Sequence, residues 1–529
     1  MNQVSKTINK WKKFYIANMV MAIFTYFMII SLRLVNQLDG LWHSEFAIAG
    51  YHEISIGRWV WPYFDKLRFG LQTEPFCSVV ALAIFALGNI ALLELFEIEP
   101  DNVKAYLISF MFLVSTSIST WLTFRYTSIT FAVPYLAAVL FVLVCKKGVK
   151  LNQGKEKLET VATIALAALC IVVSFGTYQA FFDCTALAVL VVIMSMMYKD
   201  KEKEEVIGFT VKSVVSIIIG TIVYYIGVAA SQAIHNVVMD GYNGADEISV
   251  GRMIVRFPRR FRTTYYYFKE YFFKTMFRWN RLQEKTVFVA LIMAVIVAAI
   301  VIGTIRTFRK NKVYGVLFIL CGALLPVAAN IVLFIATESF LSLQMTCGLA
   351  FFLPVCMCLV FEILEGELSG KKFKWANGFL VVLCAVIIYG NYISTQIDQE
   401  SCREGRTATL TIAEEILDEL IERGYADNGG SVCFVGMPVN NERFMYTEHF
   451  YLANNLMQFG DWGDSPSAHR QTWVSLYREY FGYFVQPCSE EEYEAITARD
   501  DVASMPMFPR QGSIANIDGI TVVKISDNY

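Results

Sequence analysis

The sequence predicts an all-α polytopic membrane protein that ends in a small α/β domain. Two observations support this fold class. The chain is 56% hydrophobic and only 17% charged, whereas a soluble globular chain carries about 25% charged residues. Its apolar residues form long runs up to residue 394, and the sequence after that point is polar and interrupted by glycine and proline. We therefore predict a membrane domain over residues 1–394 and a soluble domain over residues 395–529.

The apolar runs are long enough for about eleven transmembrane helices, because about twenty apolar residues cross a bilayer. The run from 158 to 198 is about twice one span and is divided at the sequence GTYQAFFD. The first run lacks a small-residue cleavage site, so no cleavable signal peptide is expected. The predicted spans are residues 14–34, 75–96, 104–123, 127–145, 159–177, 182–198, 208–235, 286–305, 313–336, 342–362 and 374–393.

Clusters of lysine and arginine predict the orientation, because cytoplasmic loops are enriched in these cations. Five clusters fall on the same side of the predicted spans, at residues 6–13, 146–150, 199–203, 306–312 and 371–374. The N-terminus is therefore predicted to be cytoplasmic, and the C-terminal domain extracytoplasmic.

A basic and aromatic segment on the predicted outer side departs from this pattern. Residues 252–285 hold ten Lys and Arg residues against two acids and include the sequence TYYYFKEYFF. An amphipathic segment of this kind is expected to lie in the membrane interface. Three interpretations stay open: attraction to anionic lipid headgroups, a clamp for a phosphate-bearing lipid that includes Arg256, Arg259 and Arg260, or a miscounted topology.

The C-terminal domain of roughly 130 residues is large enough for its own core. Residues 407–423 have helical spacing, and Gly424 is a helix stop signal. Residues 431–435 and 520–525 are predicted strands. Three of the 12 cysteines, Cys402, Cys433 and Cys488, fall in polar sequence. A disulfide among these three is an open alternative that the spacing does not favour.

The segment 36–68, directly after the first predicted span, has the composition of a functional loop. It mixes acids, histidines and arginines with tryptophan and tyrosine rings, and charges among aromatic belt residues are costly to hold there. Asp39, in the sequence LDGLW, is the leading candidate for a general base, a role that typically contributes about 10²–10⁴-fold to a rate. The alternative for Asp39 is a helix N-cap or an interfacial anchor.

Several motifs, taken together, resemble the bacterial type II O-antigen glucosyltransferases. LDGLW is followed by SIGRWVWPYFD and then by Pro75 at the start of the second predicted span. FRYTSITFAVPYLAAVLFVL follows the third span, and GTYQAFF lies at the outer end of the fifth. The resemblance covers roughly residues 14–395 and is carried by the order and spacing of the motifs rather than by any one of them.

This resemblance implies a GT-C-like fold and an integral membrane glycosyltransferase of the bacterial cytoplasmic membrane. The implied reaction moves a hexose, glucose in that family, from a polyprenyl-phosphate-linked donor to a cell-surface glycan on the outer face. By position in the motifs, Asp39 is similar to the family's catalytic first-loop acid, residues 57–59 (Gly, Arg58, Trp59) to its Gly-Arg-aromatic motif, and Tyr178 with Gln179 to its Tyr-Gln motif.

The sequence departs from the GT-C pattern in one respect. These enzymes often have a second acid in a later outer loop, but the TSIT sequence at residues 127–130 contains none. Glu45, Glu53 and Asp183 are the candidates for that role. Glu45 and Asp183 are also expected to contact substrate.

A departing prenyl phosphate needs a cation, and guanidinium groups bind phosphate through paired, charge-assisted hydrogen bonds. Arg58 is the first candidate, followed by Arg125 and the arginines of residues 256–262. The alternative for Arg58 is an ion pair with Glu53 or Asp65, and the alternative for Arg125 is an interfacial anchor. Gln179 either binds a sugar hydroxyl or satisfies backbone groups freed by the break between two spans.

No cofactor is expected. A divalent metal at His43 with Glu45, or at His52 with Glu53, is an alternative, although neither pair has convincing ligand spacing. The sequence has no phosphate-cradling glycine loop and no nucleic-acid motif, which disfavours a nucleotide-sugar donor and a nucleic-acid partner. The expected partners are the lipid-linked donor, the glycan acceptor and membrane lipid. The main rival is a transporter or flippase of lipid-linked glycans, which usually shows mid-membrane charges and half-repeats.

Overall fold

The structure, a computed structural model, is mostly helical, and its C-terminal part contains a three-stranded sheet. It describes residues 2–36, 39–43, 46–150, 156–241, 250–275, 284–336, 341–425, 430–445, 447, 449, 459–462 and 466–527.

The membrane part contains long apolar helices together with several short ones. They are α1 (Asn2–Thr25), α2 (Phe27–Leu32), α3 (Asp39–Trp42), α4 (Tyr51–Ser55), α5 (Trp61–Leu67), α6 (Phe76–Leu95), α7 (Val103–Leu113), α8 (Thr116–Thr123), α9 (Ser128–Lys147), α10 (Glu156–Thr177), α11 (Phe182–Tyr198), α12 (Lys203–His235), α13 (Val250–Glu270), α14 (Glu284–Lys310), α15 (Lys312–Ala328), α16 (Ile331–Ile335), α17 (Cys347–Glu367) and α18 (Gly370–Glu422). The C-terminal part adds β1 (Val432–Val435), α19 (Pro466–Leu476), α20 (Glu490–Thr497), α21 (Asp500–Ala503), β2 (Ile514–Ile517) and β3 (Ile520–Lys524).

Helices lie at all the predicted span positions. In the described part of the chain, eight are long and apolar enough to cross a membrane, or nine if the pair α7–α8, which bends by 48°, counts as one span. The difference from the predicted count arises at broken or short elements: α1 stops at Thr25, and α15 has 17 residues before the break at Asn330. The membrane character is confirmed, and the count of about eleven stays a prediction.

Polar side chains satisfy the backbone carbonyl groups that are exposed at the break between α1 and α2 and at the α7–α8 bend. The Tyr26 hydroxyl, between α1 and α2, donates to the carbonyl oxygens of Leu113 (2.8 Å) and Ser115 (2.9 Å) at the α7–α8 bend. The Gln399 amide of α18 donates to the Thr25 carbonyl at 2.9 Å. Because lipid offers no hydrogen bonds, such partners are what allow a broken helix inside an apolar bundle.

Ion pairs join four of the basic clusters at one end of the bundle. Glu362, the partner of Lys199, also interacts electrostatically with Lys146, which links the cluster at residues 199–203 to the cluster at residues 146–150. The in-register span count requires this common end, and its assignment to the cytoplasm remains a proposal. The pairs are Lys10–Glu94 (3.2 Å), Lys147–Glu94 (2.9 Å), Lys199–Glu362 (2.9 Å) and Lys310–Asp200 (2.8 Å).

The basic segment forms α13, which lies along the surface at its start and enters the core at its end. Val255 is 81% exposed, whereas Phe272, in the π-helical turn Tyr271–Thr275 after α13, is fully buried and packs on Phe352. Phe257 packs edge-on against Phe334 next to α16. The part of the predicted segment at residues 276–283 lies outside the described residues.

The last apolar helix continues without a break into the C-terminal domain. α18 is 53 residues long and crosses the predicted boundary at residue 394 without a break, and it ends just before Gly424, whose φ is +68°. The two predicted strands are confirmed as β1 and β3, which pair in parallel, and β2 is an additional strand antiparallel to β3. Val35 and Leu41, from the segment after α2, are part of this domain's hydrophobic core.

A buried carboxyl before α6 predicts a pH-dependent stability. Glu74 is 3% exposed and accepts a hydrogen bond from the Ser78 hydroxyl at 2.8 Å. Burial raises its pKa from 4.5 to about 7, although Ser78 and the charge of Arg125 oppose the shift. The native state therefore holds this proton more tightly than the unfolded state does. The free energy of unfolding should fall by about 3 kcal/mol as the pH rises from about 4.5 to about 7.

Glu74→Gln imitates the protonated form and should remove this fall, so that the variant is more stable than the wild type above about pH 7. Thermal unfolding of both purified proteins between about pH 5 and pH 8 measures the difference, since all other titrating groups are shared. Parallel curves for the two proteins would contradict the assignment to Glu74.

Candidate functional site

A cavity of about 880 Å³ lies where the loop after α2 meets the membrane helices. The loops supply a polar wall that includes His43, His52, Glu53 and Arg58. The helices supply an apolar wall: Phe175, Phe182, Ile217, Val332 and Ile335 are among its residues. The cavity therefore joins a charged surface to an apolar one, as a site for an amphipathic ligand requires.

Arg58 is the cation of this cavity. Its guanidinium carbon lies 4.5 Å from the ring centre of Tyr178 and 5.7 Å from that of Trp61. Its Nε atom is buried without a hydrogen-bond partner, and the described residues offer its side chain no ion pair. Cation–π contacts hold the planar group in place while leaving its N–H edges unused. Such a preorganised cation suits a phosphate.

The alternative ion pairs of Arg58 do not form, because both acids have other partners. Asp65 accepts from the Arg68 guanidinium at 2.6 Å, and both side chains are buried. Glu53 accepts from the backbone N–H of Gly50 at 2.7 Å. Arg68 also donates to the Tyr126 carbonyl oxygen at 2.6 Å. The Asp65–Arg68 pair thus ties the loop to the cavity wall that Tyr126 forms.

Tight packing fixes the Gly-Arg-Trp motif against α12 and against Gln179, which lies between α10 and α11. Gly57 has a φ of +82°, and a Cβ there would lie 2.4 Å from the Tyr224 hydroxyl, so only glycine fits. The Gln179 amide donates to the Ile56 carbonyl oxygen (3.0 Å) and to the Tyr224 hydroxyl (3.2 Å). Trp59 packs on Gly227 of α12 and is not part of the cavity lining. Its position is that of an anchor for Arg58.

Both members of the Tyr-Gln motif line the cavity, as a substrate-contacting pair must. Tyr178 is 5% exposed and stacks edge-on against Phe131 at 4.8 Å between ring centres. The side-chain amide of Gln179 donates its N–H groups to the Ile56 carbonyl oxygen and to the Tyr224 hydroxyl. Both interpretations of Gln179 are therefore compatible, because it satisfies a freed carbonyl and is also part of the cavity lining.

Among the described residues, Glu53 is the acid that lines the cavity. It is 9% exposed and lies in α4, five residues before Arg58. One carboxylate oxygen, Oε2, accepts the Gly50 N–H, which fixes the side chain of this cavity-lining residue. A fixed carboxylate in a cavity of this kind is suited to accept a proton.

The other two acids of the first loop are less fully described. The backbone of Asp39 begins α3, which also contains the cavity residue Trp42, but its side chain lies outside the described part of the chain. Glu45 lies outside the described residues altogether. Their predicted roles stay predictions.

Asp183 and the arginines of α13 lie away from the cavity lining. Asp183 is 2% exposed and accepts from the Val332 N–H at 2.9 Å, which caps the start of α16. Since Val332 and Ile335 line the cavity, Asp183 acts on its shape through α16. Arg259 is exposed on α13, and Arg256 and Arg260 are partly buried beside it.

The C-terminal domain holds the rim of the cavity at two points. Arg125, predicted to bind substrate, is 3% exposed and donates through both terminal nitrogens to Glu479 at 3.4 Å. Trp42, on the cavity wall, donates to the Thr472 hydroxyl at 2.9 Å. The next residue, His43, stacks on Tyr126 at 3.6 Å. Arg125 is therefore a link between the domains rather than part of the cavity lining.

Breaking the link is expected to destabilise the protein. Glu479→Gln leaves the buried Arg125 charge without its partner, which should cost about 3 kcal/mol of unfolding free energy. Glu442→Gln breaks the exposed Arg510–Glu442 pair (2.6 Å) as a matched control and should cost less than about 1 kcal/mol. Thermal unfolding of the purified variants measures both. Equal losses in the two variants, or no recovery when Arg125→Glu is combined with Glu479→Arg, would contradict the role of the pair.

Sequence reasoning missed cavity residues that come from apolar helices and from a distant loop. Tyr224 lies in the middle of α12, and Gln344 follows α16, with its side-chain oxygen buried and unpartnered among the described residues. A polar residue inside an apolar run was the available signal. Among the described residues, no group of three His, Cys, Asp or Glu side chains is arranged to hold a metal, and the expectation of a metal-free site remains untested.

Comparison with known proteins assigns the chain to a family. The family model Glucosyl transferase GtrII matches residues 43–355, which is more than half of the chain and includes Glu53, Arg58, Tyr178 and Gln179. Neither the curated proteins nor the solved structures give a match. With its apolar helices, the chain is a membrane protein that belongs to the GtrII glucosyl transferase family.

Proposed function

We infer that this protein moves a hexose, with glucose expected, from a polyprenyl-phosphate donor to a cell-surface glycan on the outer face of the bacterial cytoplasmic membrane. The observation that supports it most is the cavity that joins the unpaired Arg58 guanidinium to an apolar wall. A sugar on a prenyl phosphate has the same division into a charged head and an apolar tail.

The roles of the residues follow from the charges that the reaction creates. The bond between the sugar carbon and the phosphate oxygen breaks, and polyprenyl phosphate leaves with the added negative charge. Arg58 stabilises that charge through its free N–H edges. The acceptor hydroxyl forms the new glycosidic bond and gives its proton to a carboxylate. Glu53, which lines the cavity, is the carboxylate proposed for this role. Asp39 is the competing proposal for the same role.

The remaining residues position these groups. Tyr178 supports Arg58 and, with Gln179, lies where a sugar hydroxyl would be held. Trp59, Asp183 and Arg125 act through the loop, α16 and the C-terminal domain, respectively. The α13 arginines are proposed to attract anionic lipid to the same membrane surface.

The rival function, transport of a lipid-linked glycan, predicts a different phenotype. Cells that lack the gene are complemented with the wild type or with Arg58→Ala, and their surface glycans are compared by mass spectrometry. Transfer predicts the absence of a single hexose on an otherwise complete glycan, restored by the wild type alone. Loss of the whole glycan would contradict transfer and favour a flippase.

A further inference from the structure

The C-terminal domain places two of its cysteines opposite each other. Val432 of β1 forms a parallel bridge with Pro487, and the backbone bonds on either side are Val432 N–H to Gln486 (2.8 Å) and Cys488 N–H to Val432 (3.1 Å). One residue further along each strand, Cys433 stands beside Cys488. In a parallel pair, such neighbours direct their side chains to the same face.

The two thiols are in contact and shielded from water. Both residues are fully buried, in one cluster with Tyr493, Ile496 and Val522. A side-chain hydrogen bond joins the sulfur atoms, and this bond raises the pKa of Cys433 and lowers that of Cys488. Arg470, which donates to the Cys488 carbonyl oxygen at 2.5 Å, adds a positive charge next to Cys488.

Cys402 has a different environment. It is fully buried in α18, and its thiol contacts the Val35 carbonyl oxygen at 3.3 Å rather than another cysteine. Of the three cysteines that lie in polar sequence, the structure therefore selects one pair.

We propose that Cys433 and Cys488 form a disulfide in the mature protein. The proposal rests on the extracytoplasmic placement of the C-terminal domain that the proposed function includes, because disulfides persist in oxidising compartments. The pair forms while the domain folds, before burial is complete.

The chemistry needs an oxidant, which is the disulfide of an extracytoplasmic thiol oxidoreductase. The Cys488 thiolate attacks one sulfur of that disulfide and releases the other as a thiolate. Cys433 then loses its proton and attacks Cys488 in the mixed disulfide, which releases the second oxidoreductase thiolate. The protein pair loses two protons and two electrons, and the oxidoreductase disulfide becomes two thiols.

The bond would brace the part of the domain that holds the cavity rim. The chain between the two cysteines contains α19 and the π-helical turn Tyr477–Phe481. These elements carry Thr472 and Glu479, the partners of Trp42 and Arg125. A disulfide at the base of this segment fixes where both partners stand.

Tryptic peptides make the test direct. Membranes are denatured without reductant in the presence of N-ethylmaleimide, which alkylates free thiols, and are then digested with trypsin. Residues 424–443 and 479–499 form two peptides, each with one cysteine. We expect them as one linked species that separates on reduction, with Cys402 alkylated. Cys433→Ser should make Cys488 fully alkylated, and Cys402→Ser should leave the linked species unchanged.

Alkylation of both Cys433 and Cys488 in the wild type before reduction would overturn the proposal, as would a link from either one to Cys402. The glycan comparison described above is made on the same cells. A surface glycan that carries the hexose, together with free thiols at both cysteines, would refute the disulfide alone. A linked pair of cysteines without hexose on the glycan would refute the proposed function alone.

Discussion

Arg58→Ala is expected to lower the rate of sugar transfer about 10²–10³-fold, the usual cost of removing a preorganised group that stabilises charge in a transition state. Arg58→Lys should lose nearly as much, because an ammonium group keeps the charge but loses the planar fork that stacks on Tyr178. The measurement is the steady-state rate of hexose transfer in membranes with saturating donor, normalised to the amount of protein.

The matched control for Arg58 is Lys66, on the same loop. Its ammonium lies 5.5 Å from the ring centre of Tyr63, also a cation–π contact, but it is exposed and does not line the cavity. Lys66→Ala should therefore leave the rate unchanged. An Arg58→Lys variant with near-normal turnover would show that position 58 needs only a positive charge, and the bidentate phosphate contact would be wrong.

Glu53→Gln is expected to lower kcat about 10²–10⁴-fold, because the amide cannot take the proton of the attacking hydroxyl. The substitution keeps an oxygen for the Gly50 N–H, so the loop should fold normally. Asp39→Asn tests the competing assignment: it should cost far less than Glu53→Gln.

The control for Glu53 is another glutamate with the same local role. Glu492 accepts from the Ser489 N–H at 2.7 Å at the start of α20, as Glu53 does from Gly50 at the start of α4, but it lies in the C-terminal domain outside the cavity. Glu492→Gln should retain full kcat. A full loss of kcat in Asp39→Asn together with a normal Glu53→Gln enzyme would transfer the base role to Asp39.

The membrane helices were predictable from sequence because their signal is local. Twenty consecutive apolar residues need no knowledge of the rest of the fold, and each predicted span contains helix. The common end of the basic clusters was predictable for the same reason, since each cluster is read from its own loop. The break at Tyr26 was less visible, because the Gln399 amide that satisfies the Thr25 carbonyl comes from a distant helix.

Partners far apart in the chain explain what the sequence did not show. Arg125 pairs with Glu479, 354 residues away, so its role as a domain link has no local signature. The helical character of residues 407–423 was predicted, but the sequence did not show that α18 runs without a break through the polar stretch at residues 395–406. The motif residues Arg58, Tyr178 and Gln179 do meet in one cavity, whereas Trp59 and Asp183 support it from outside.

We infer that the cavity beside Arg58 holds the head of a lipid-phosphate sugar. The most direct measurement uses a polyprenyl-phosphate glucose whose first isoprene unit carries a photoreactive diazirine. After irradiation in proteoliposomes, the labelled peptides are mapped by mass spectrometry. We expect label on the cavity residues of α12 and of residues 178–182, and this label should be competed by unlabelled donor and strongly reduced in Arg58→Ala. Label confined to α13 or to the lipid-facing surface, and unchanged in Arg58→Ala, would contradict it.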